Sequence, residues 1–245
     1  MTRIARVLLL LTGLTACASS VVRAQAPSLP TIEDVAFVNV SVGVQAQTHT
    51  FSSNSSFPLY DETATVTAAP RVGRGFVVDV SGGRRVWRRL FGALGVSMAH
   101  ANGDGSLVAS IPDPLYFNRF ATTTTPVSDL GQTTVAINLQ AVWIAPLTDT
   151  IDVAFSFGPS LMHVKQDVPS VTVTTGTQKV SASTTSESKW TGKAGTVGVD
   201  LSVKLSSQYR AGLFVRWAGG EVDLPSAPKL KVGGVQVGGG LRLRF

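Results

Sequence analysis

The residue types that carry most hydrolytic and transfer chemistry are few and scattered in this chain. Its three histidines, His49, His100 and His163, stand far apart, with no H-E-x-x-H pair for a zinc ion and no G-x-S-x-G nucleophile turn. A His-x-Ser pair is absent too, because His100 is followed by Ala101-Asn102 and His163 by Val164-Lys165. The triplet Gly238-Gly239-Gly240 lacks the following helix that a phosphate-cradling loop needs. What remains is a set of charges, Asp79, Asp152, Asp200, Lys204, Arg216, Arg242 and Arg244, each set among apolar or small neighbours. Opposite charges withdrawn from water must pair, so these residues read first as a structural network. No catalytic, cofactor-binding or metal-ligating constellation is expected, and the chain reads as a non-enzyme.

Composition narrows the classes further. Of 245 residues 44% are hydrophobic and 15% charged, mean hydropathy is +0.23, and there are 24 glycines and one cysteine. A chain this apolar buries enough surface to offset its ordering entropy, and a lone cysteine excludes a disulfide framework. Yet no run of eighteen apolar residues, the length of a membrane-crossing helix, is present.

The first residues resemble an export signal: Arg3 and Arg6 precede the apolar block Val7 to Leu14, and small residues follow. Cleavage after Val22-Arg23-Ala24 would leave Gln25 first, giving a signal peptide over 1–24, an N-terminal segment over 25–35 and one domain over 36–245. The rival is Leu14-Thr15-Ala16-Cys17, similar to a lipobox, in which Cys17 would be lipidated. Removing Arg3, Arg6 and Arg23 leaves 18 basic against 15 acidic side chains, a net charge of +3. That is too weak for a nucleic-acid footprint.

The elements that must position the charges are strands. Val38, Val40, Val42 and Val44 alternate with Asn39, Ser41, Gly43 and Gln45, a period of two that gives a strand two unlike faces. The same alternation recurs over 75–80, 90–98, 134–145, 151–161, 194–205, 211–218 and 235–245, which makes eight strands. Pro159 interrupts the fifth, so a bulge or kink is expected at Gly158-Pro159. Long connections (48–69, 101–131, 166–189 and, more modestly, 221–231) alternate with short ones (81–89, 146–150, 206–210). Such a pattern predicts an all-β, antiparallel up-and-down meander that closes into a barrel with both ends on the short-turn side.

Alternation alone leaves open whether the apolar face lines a cavity, as in a soluble lipocalin-like carrier, or meets lipid. The near-absence of charge on that face, the small and charged residues opposite, and the loop asymmetry favour lipid. So does the last strand, where Val235, Val237, Leu241, Leu243 and Phe245 alternate up to a terminal aromatic. This strand resembles the assembly signal of bacterial outer-membrane β-barrels, and residues 37–245 are similar to the eight-stranded barrels of the OmpA/OmpX/OmpW type. The resemblance implies a transmembrane barrel in the bacterial outer membrane with short periplasmic turns and long extracellular loops, no periplasmic domain after Phe245 and no catalytic residues. Its implied partners are membrane lipid, the barrel-assembly machinery reading Val237, Leu241, Leu243 and Phe245, and an extracellular ligand met through the loops. Enzymatic outer-membrane barrels exist, lipid A deacylases among them, but the missing His-x-Ser pair argues against that reading.

The seven charges share the polar parity and would face the lumen. An eight-stranded lumen is only wide enough to be filled by side chains, so they are expected to plug it; a narrow porin-like channel is the alternative. Trp143, Tyr209, Phe91 and Phe245 fall near the short-turn end and Trp190 and Phe51 near the other, as interfacial girdles would. Within 106–120, Ile111, Leu115, Tyr116, Phe117 and Phe120 form a candidate surface patch, the alternative being that the stretch packs over the barrel mouth. Residues 171–180, centred on Thr-Thr-Gly-Thr, are expected to continue strands five and six as a hairpin.

Overall fold

The computed structural model describes residues 34–46, 49–50, 52–174, 179–225 and 229–245; the signal segment, Cys17, Phe51 and the centre of the Thr-Thr-Gly-Thr hairpin lie outside them. The described residues form ten strands: β1 Ala36–Gln45, β2 His49–Thr50, β3 Ser53–Leu59, β4 Glu62–Trp87, β5 Leu90–Pro112, β6 Phe120–Pro146, β7 Ile151–Thr174, β8 Lys179–Lys204, β9 Tyr209–Val222 and β10 Leu230–Arg244. All are antiparallel. β1, β2 and β3 run in succession along β4, from Ala36 opposite Arg84 to Leu59 opposite Glu62, and so act as one interrupted stave. β1 also pairs with β10, from Phe37 opposite Arg244 to Gln45 opposite Gln236. Eight staves therefore close on themselves in chain order, and β1 and β10, the first and last strands, are not left as open edges.

Each alternating segment lies within a strand, but the strands run much further: β4, β6 and β8 begin at Glu62, Phe120 and Lys179, more than ten residues before the segments read at 75, 134 and 194. β4 to β8 are 23 to 27 residues long, against the 9–11 or so that cross a bilayer. The expected long connections are mostly wall. Residues 53–69 form β3 and the start of β4, and the 101–131 connection is a β5–β6 hairpin that turns only at 113–119. The 171–180 hairpin does extend β7 and β8, with Thr174 opposite Lys179. The 81–89 turn is also shorter than expected, since β4 continues to Trp87.

Alternation places apolar side chains outward across a band of every stave: Val40, Val78, Val96, Leu139, Phe157, Val199, Val215 and Val237 all lie on the exterior. Leu139 is 60% exposed. A closed barrel that leaves no free edge and shows water a belt of this kind is a transmembrane β-barrel, because only lipid makes such an exterior favourable. The break expected at Gly158-Pro159 is present. β6 and β7 pair from Asn138–Ser160 and again from Ala141–Phe157, and the β7–β8 register shifts between Ser160 and Met162.

Candidate functional site

The lumen is filled in layers. Nearest the short turns, Phe37, Phe91, Ala93, Val142, Ile144 and Ala154 pack together. Phe37 and Phe91 meet edge to face with ring centroids 5.6 Å apart. Phe91 is thus a lumen residue, 1% exposed, and not the interfacial anchor expected of it: it follows Leu90, so its parity is inward. Glycine makes room for these rings. A Cβ on Gly83 would come within 2.5 Å of the Phe37 ring, and one on Gly238 within 2.8 Å of Phe214.

Threaded through and above this layer runs the charge network. Asp152 forms ion pairs with Arg244, at 2.9 Å, and with Arg210; Arg244 reaches Asp34 at 3.3 Å. Arg242 meets Asp200 at 3.4 Å, and Arg216 meets Asp79 at 3.2 Å. Four carboxylates thus face four guanidiniums, and the buried charges balance. Arg216 also donates to Gln236 at 2.7 Å and lies over the Phe214 ring at 4.8 Å, while Arg242 lies over Phe37 at 5.3 Å. Gln236 continues the chain to Gln45, whose amide donates to the Gly233 carbonyl at 3.0 Å. Two cavities among these side chains, one lined mainly by polar groups around Asp79 and Arg216 and one of mixed lining beside Phe214, are of the order of a water molecule.

Of the seven charges read from the sequence, the structure brings six together. Lys204 is the exception: it ends β8 at the short-turn rim, where the wall stops, and its side chain is exposed. Its cross-strand partner Arg210 takes the place expected for it. Sequence parity also missed Asp34, which precedes β1. Gln45, Asn138 and Gln236 fall on the polar parity of the segments read from the sequence, whereas Gln132 and Gln166 lie outside those segments; above the charges the inward amides make further hydrogen bonds. Asn138 donates to Ser97 at 3.1 Å and accepts from Ser160 at 2.7 Å, and Gln132 donates to Gln166 at 2.7 Å.

An apolar layer then crosses the lumen, made of Ala136, Met162, Val164, Ala218, Leu230 and Val232 among others. A third cluster, with Val66, Leu107, Ile111 and Leu130, fills the inner face of the upper β3–β6 sheet. Ile111 is buried there at 2% exposure and leaves the proposed surface patch, because β5 reaches Pro112 and carries it inward. Leu115, Tyr116, Phe117 and Phe120 remain exposed at the β5–β6 tip, with Arg119 stacked 5.5 Å over the Tyr116 ring.

Among the described residues the histidines build no metal-ligating group. His100 shares a hydrogen bond of 3.0 Å with the Thr133 hydroxyl and stacks on Phe76; His163 stacks on Trp190 with centroids 4.8 Å apart. Both sit where the exterior turns from apolar to polar, in the upper aromatic girdle with Trp190 and Trp217. His49 lies on β2.

No family model and no curated protein matches the chain. Solved structures similar to it include Neisserial surface protein A, 12% identical, with 86% of this chain and 97% of that chain covered at a TM-score of 0.44. The outer membrane protein OprG of Pseudomonas aeruginosa is 8% identical, with 86% and 97% covered at a TM-score of 0.41. The outer membrane protease OmpT of Escherichia coli is 8% identical, with 89% and 99% covered at a TM-score of 0.30.

Proposed function

We propose that the chain is a non-enzymatic integral protein of the bacterial outer membrane, closed to solutes, whose tall wall and loop tips serve an envelope-structural or surface-interaction role. The observation that carries this is the lumen cross-section. Five ion pairs joining four carboxylates to four guanidiniums, and three apolar clusters, occupy the space that a conducting barrel keeps for water. Interaction is assigned to the tips because the β5–β6 hairpin carries the exposed Leu115, Tyr116 and Phe117 at its turn. The outward stripe Val237, Leu241, Leu243 and Phe245 on the last stave is the segment proposed for recognition by the assembly machinery.

Reconstitution into planar bilayers tests the closed lumen. Folded protein is expected to leave the bilayer electrically silent, and steady ion-selective conductance in proportion to inserted protein would replace the plug with a narrow pore. Assay of the same preparation for hydrolysis of peptides and of lipid acyl esters is expected to show no turnover above an unfolded control.

A further inference from the structure

The short turn between β4 and β5 is unlike the other short turns. Its sequence, Arg84-Arg85-Val86-Trp87-Arg88-Arg89, carries four arginines, whereas 147–150 and 205–208 carry none. A register shift between Arg85 and Trp87 turns both Val86 and Trp87 outward, at 72% and 64% exposure. Arg88 then takes a left-handed backbone, φ 39°, which brings its guanidinium 5.2 Å over the Trp87 ring. Among the described residues, Arg84, Arg88 and Arg89 enter no ion pair.

Two cavities open beside this turn and share Leu90. One is lined by Trp87, Arg88, Arg89, Leu90 and Trp143. Trp87, Leu90, Trp143 and Phe155 form one cross-strand row over β4 to β7, so this cavity lies in the lower aromatic girdle, at headgroup level. The other is a groove of about 400 Å³ in the outer wall, running deeper into the apolar band between Leu90, Leu139, Ala141, Phe157 and Pro159. It lies where the β6–β7 ladder is interrupted between Asn138–Ser160 and Ala141–Phe157, at Pro159, which has no N–H to give.

We propose that this rim holds one anionic phospholipid of the short-turn leaflet, with its phosphate on Arg88 and Arg89 and an acyl chain in the groove beside Pro159. Charge complementarity selects the headgroup, since unpaired guanidiniums at the interface bind phosphate bidentately. The groove selects the tail: it is apolar, faces the hydrocarbon, and begins where the cationic cavity ends. The inference rests on the membrane reading above.

The test uses the mature chain with Trp190→Phe and Trp217→Phe, so that fluorescence comes from Trp87 and Trp143. The protein is folded into phosphatidylcholine vesicles containing a minor fraction of dibrominated phosphatidylglycerol or, separately, dibrominated phosphatidylcholine. At about fivefold per interfacial arginine, the phosphatidylglycerol probe is expected to associate roughly twentyfold more strongly. Arg88→Gln with Arg89→Gln should bring the ratio towards one, and Lys204→Gln, a rim cation elsewhere, should leave it unchanged. Raising the salt concentration on the unmutated rim should lower the ratio too, which tests the headgroup contact without any risk to folding. Ala141→Phe, filling the groove from the lipid side, should weaken the preference with the arginines intact. Equal quenching by the two probes, or a preference that survives removal of both arginines, overturns the site. An undiminished preference in Ala141→Phe overturns the seated acyl chain. Absence of quenching by either lipid overturns the membrane reading itself.

Discussion

Asp152 is the carboxylate on which the lower lumen network turns, and Asp152→Asn is the perturbation that tests whether the network is structural. Its side chain is 3% exposed and holds two guanidiniums, Arg244 at 2.9 Å and Arg210. The amide keeps the shape and removes the charge. Arg244 retains Asp34 at 3.3 Å, but Arg210 loses its ion pair and stays largely enclosed, at 13% exposure. Removing one partner of a buried pair costs about 3–5 kcal/mol, and because Arg244 keeps a second carboxylate the lower end, about 3 kcal/mol, is expected. Asp34→Asn, whose side chain is 28% exposed, is expected to cost about 1 kcal/mol or less because water screens that pair. Urea unfolding in lipid vesicles, followed by tryptophan fluorescence, measures both. Arg210→Gln in the Asp152→Asn background should recover part of the loss, since no unpaired charge then stays buried. The reasoning is refuted if Asp152→Asn falls within about 0.5 kcal/mol of Lys204→Gln, the exposed control.

Further substitutions check the two faces of the wall. Val199→Arg or Leu139→Arg places a cation against lipid in the middle of the band and should cost roughly 2 to 4 kcal/mol in the same assay; a neutral result would mean that this face does not meet hydrocarbon. Gly238→Ala should destabilise by about 1–3 kcal/mol, because its Cβ would lie 2.1 Å from the Val42 carbonyl oxygen and 2.8 Å from the Phe214 ring. Gly239→Ala, facing outward with its nearest neighbours at 3.4 and 3.6 Å, should cost far less, and equal costs at the two positions would contradict the inward packing of Phe214.

Eight staves, their order, the break at Pro159 and six of the seven lumen charges were legible because period two over an apolar band is an unambiguous signal. The layering of the lumen was not. Ala136 shares its parity with Asn138, which suggests a polar surround, yet it packs beside Met162 and Val164 in an apolar layer. Parity reports the face of a residue, while height along the barrel depends on strand stagger, which no single strand encodes. Arg210 and Asp34 were missed for a related reason. They lie at strand ends, where alternation is too short to read, and it is their ion pairs with Asp152 and Arg244 that place them in the network.

The length of the wall escaped the sequence for a different physical reason. On β5 the apolar residues Leu94, Val96 and Met98 face outward, while Leu107, Ala109 and Ile111 face inward on the same strand, so the apolar set changes parity above His100 without any bulge in β5. On β4 and β6 bulges reset the phase as well, between Val72 and Gly75 and, opposite Gly103 and Gly105, between Val127 and Leu130, where Asp129 adopts φ 59°. Period two therefore dissolves at the girdle when it is sought as one continuous stripe. The inversion follows from the change of solvent. Below the girdle lipid surrounds the wall and apolar side chains point out; above it water does, and Val66, Leu107 and Leu130 must find a core inside while Thr65, Thr67 and Ser106 line the exterior or the margin. Each half of the long strands obeys the rule for its own solvent. The upper sheet thus carries its own buried core, and it is the support whose tip holds Leu115, Tyr116 and Phe117 away from the membrane.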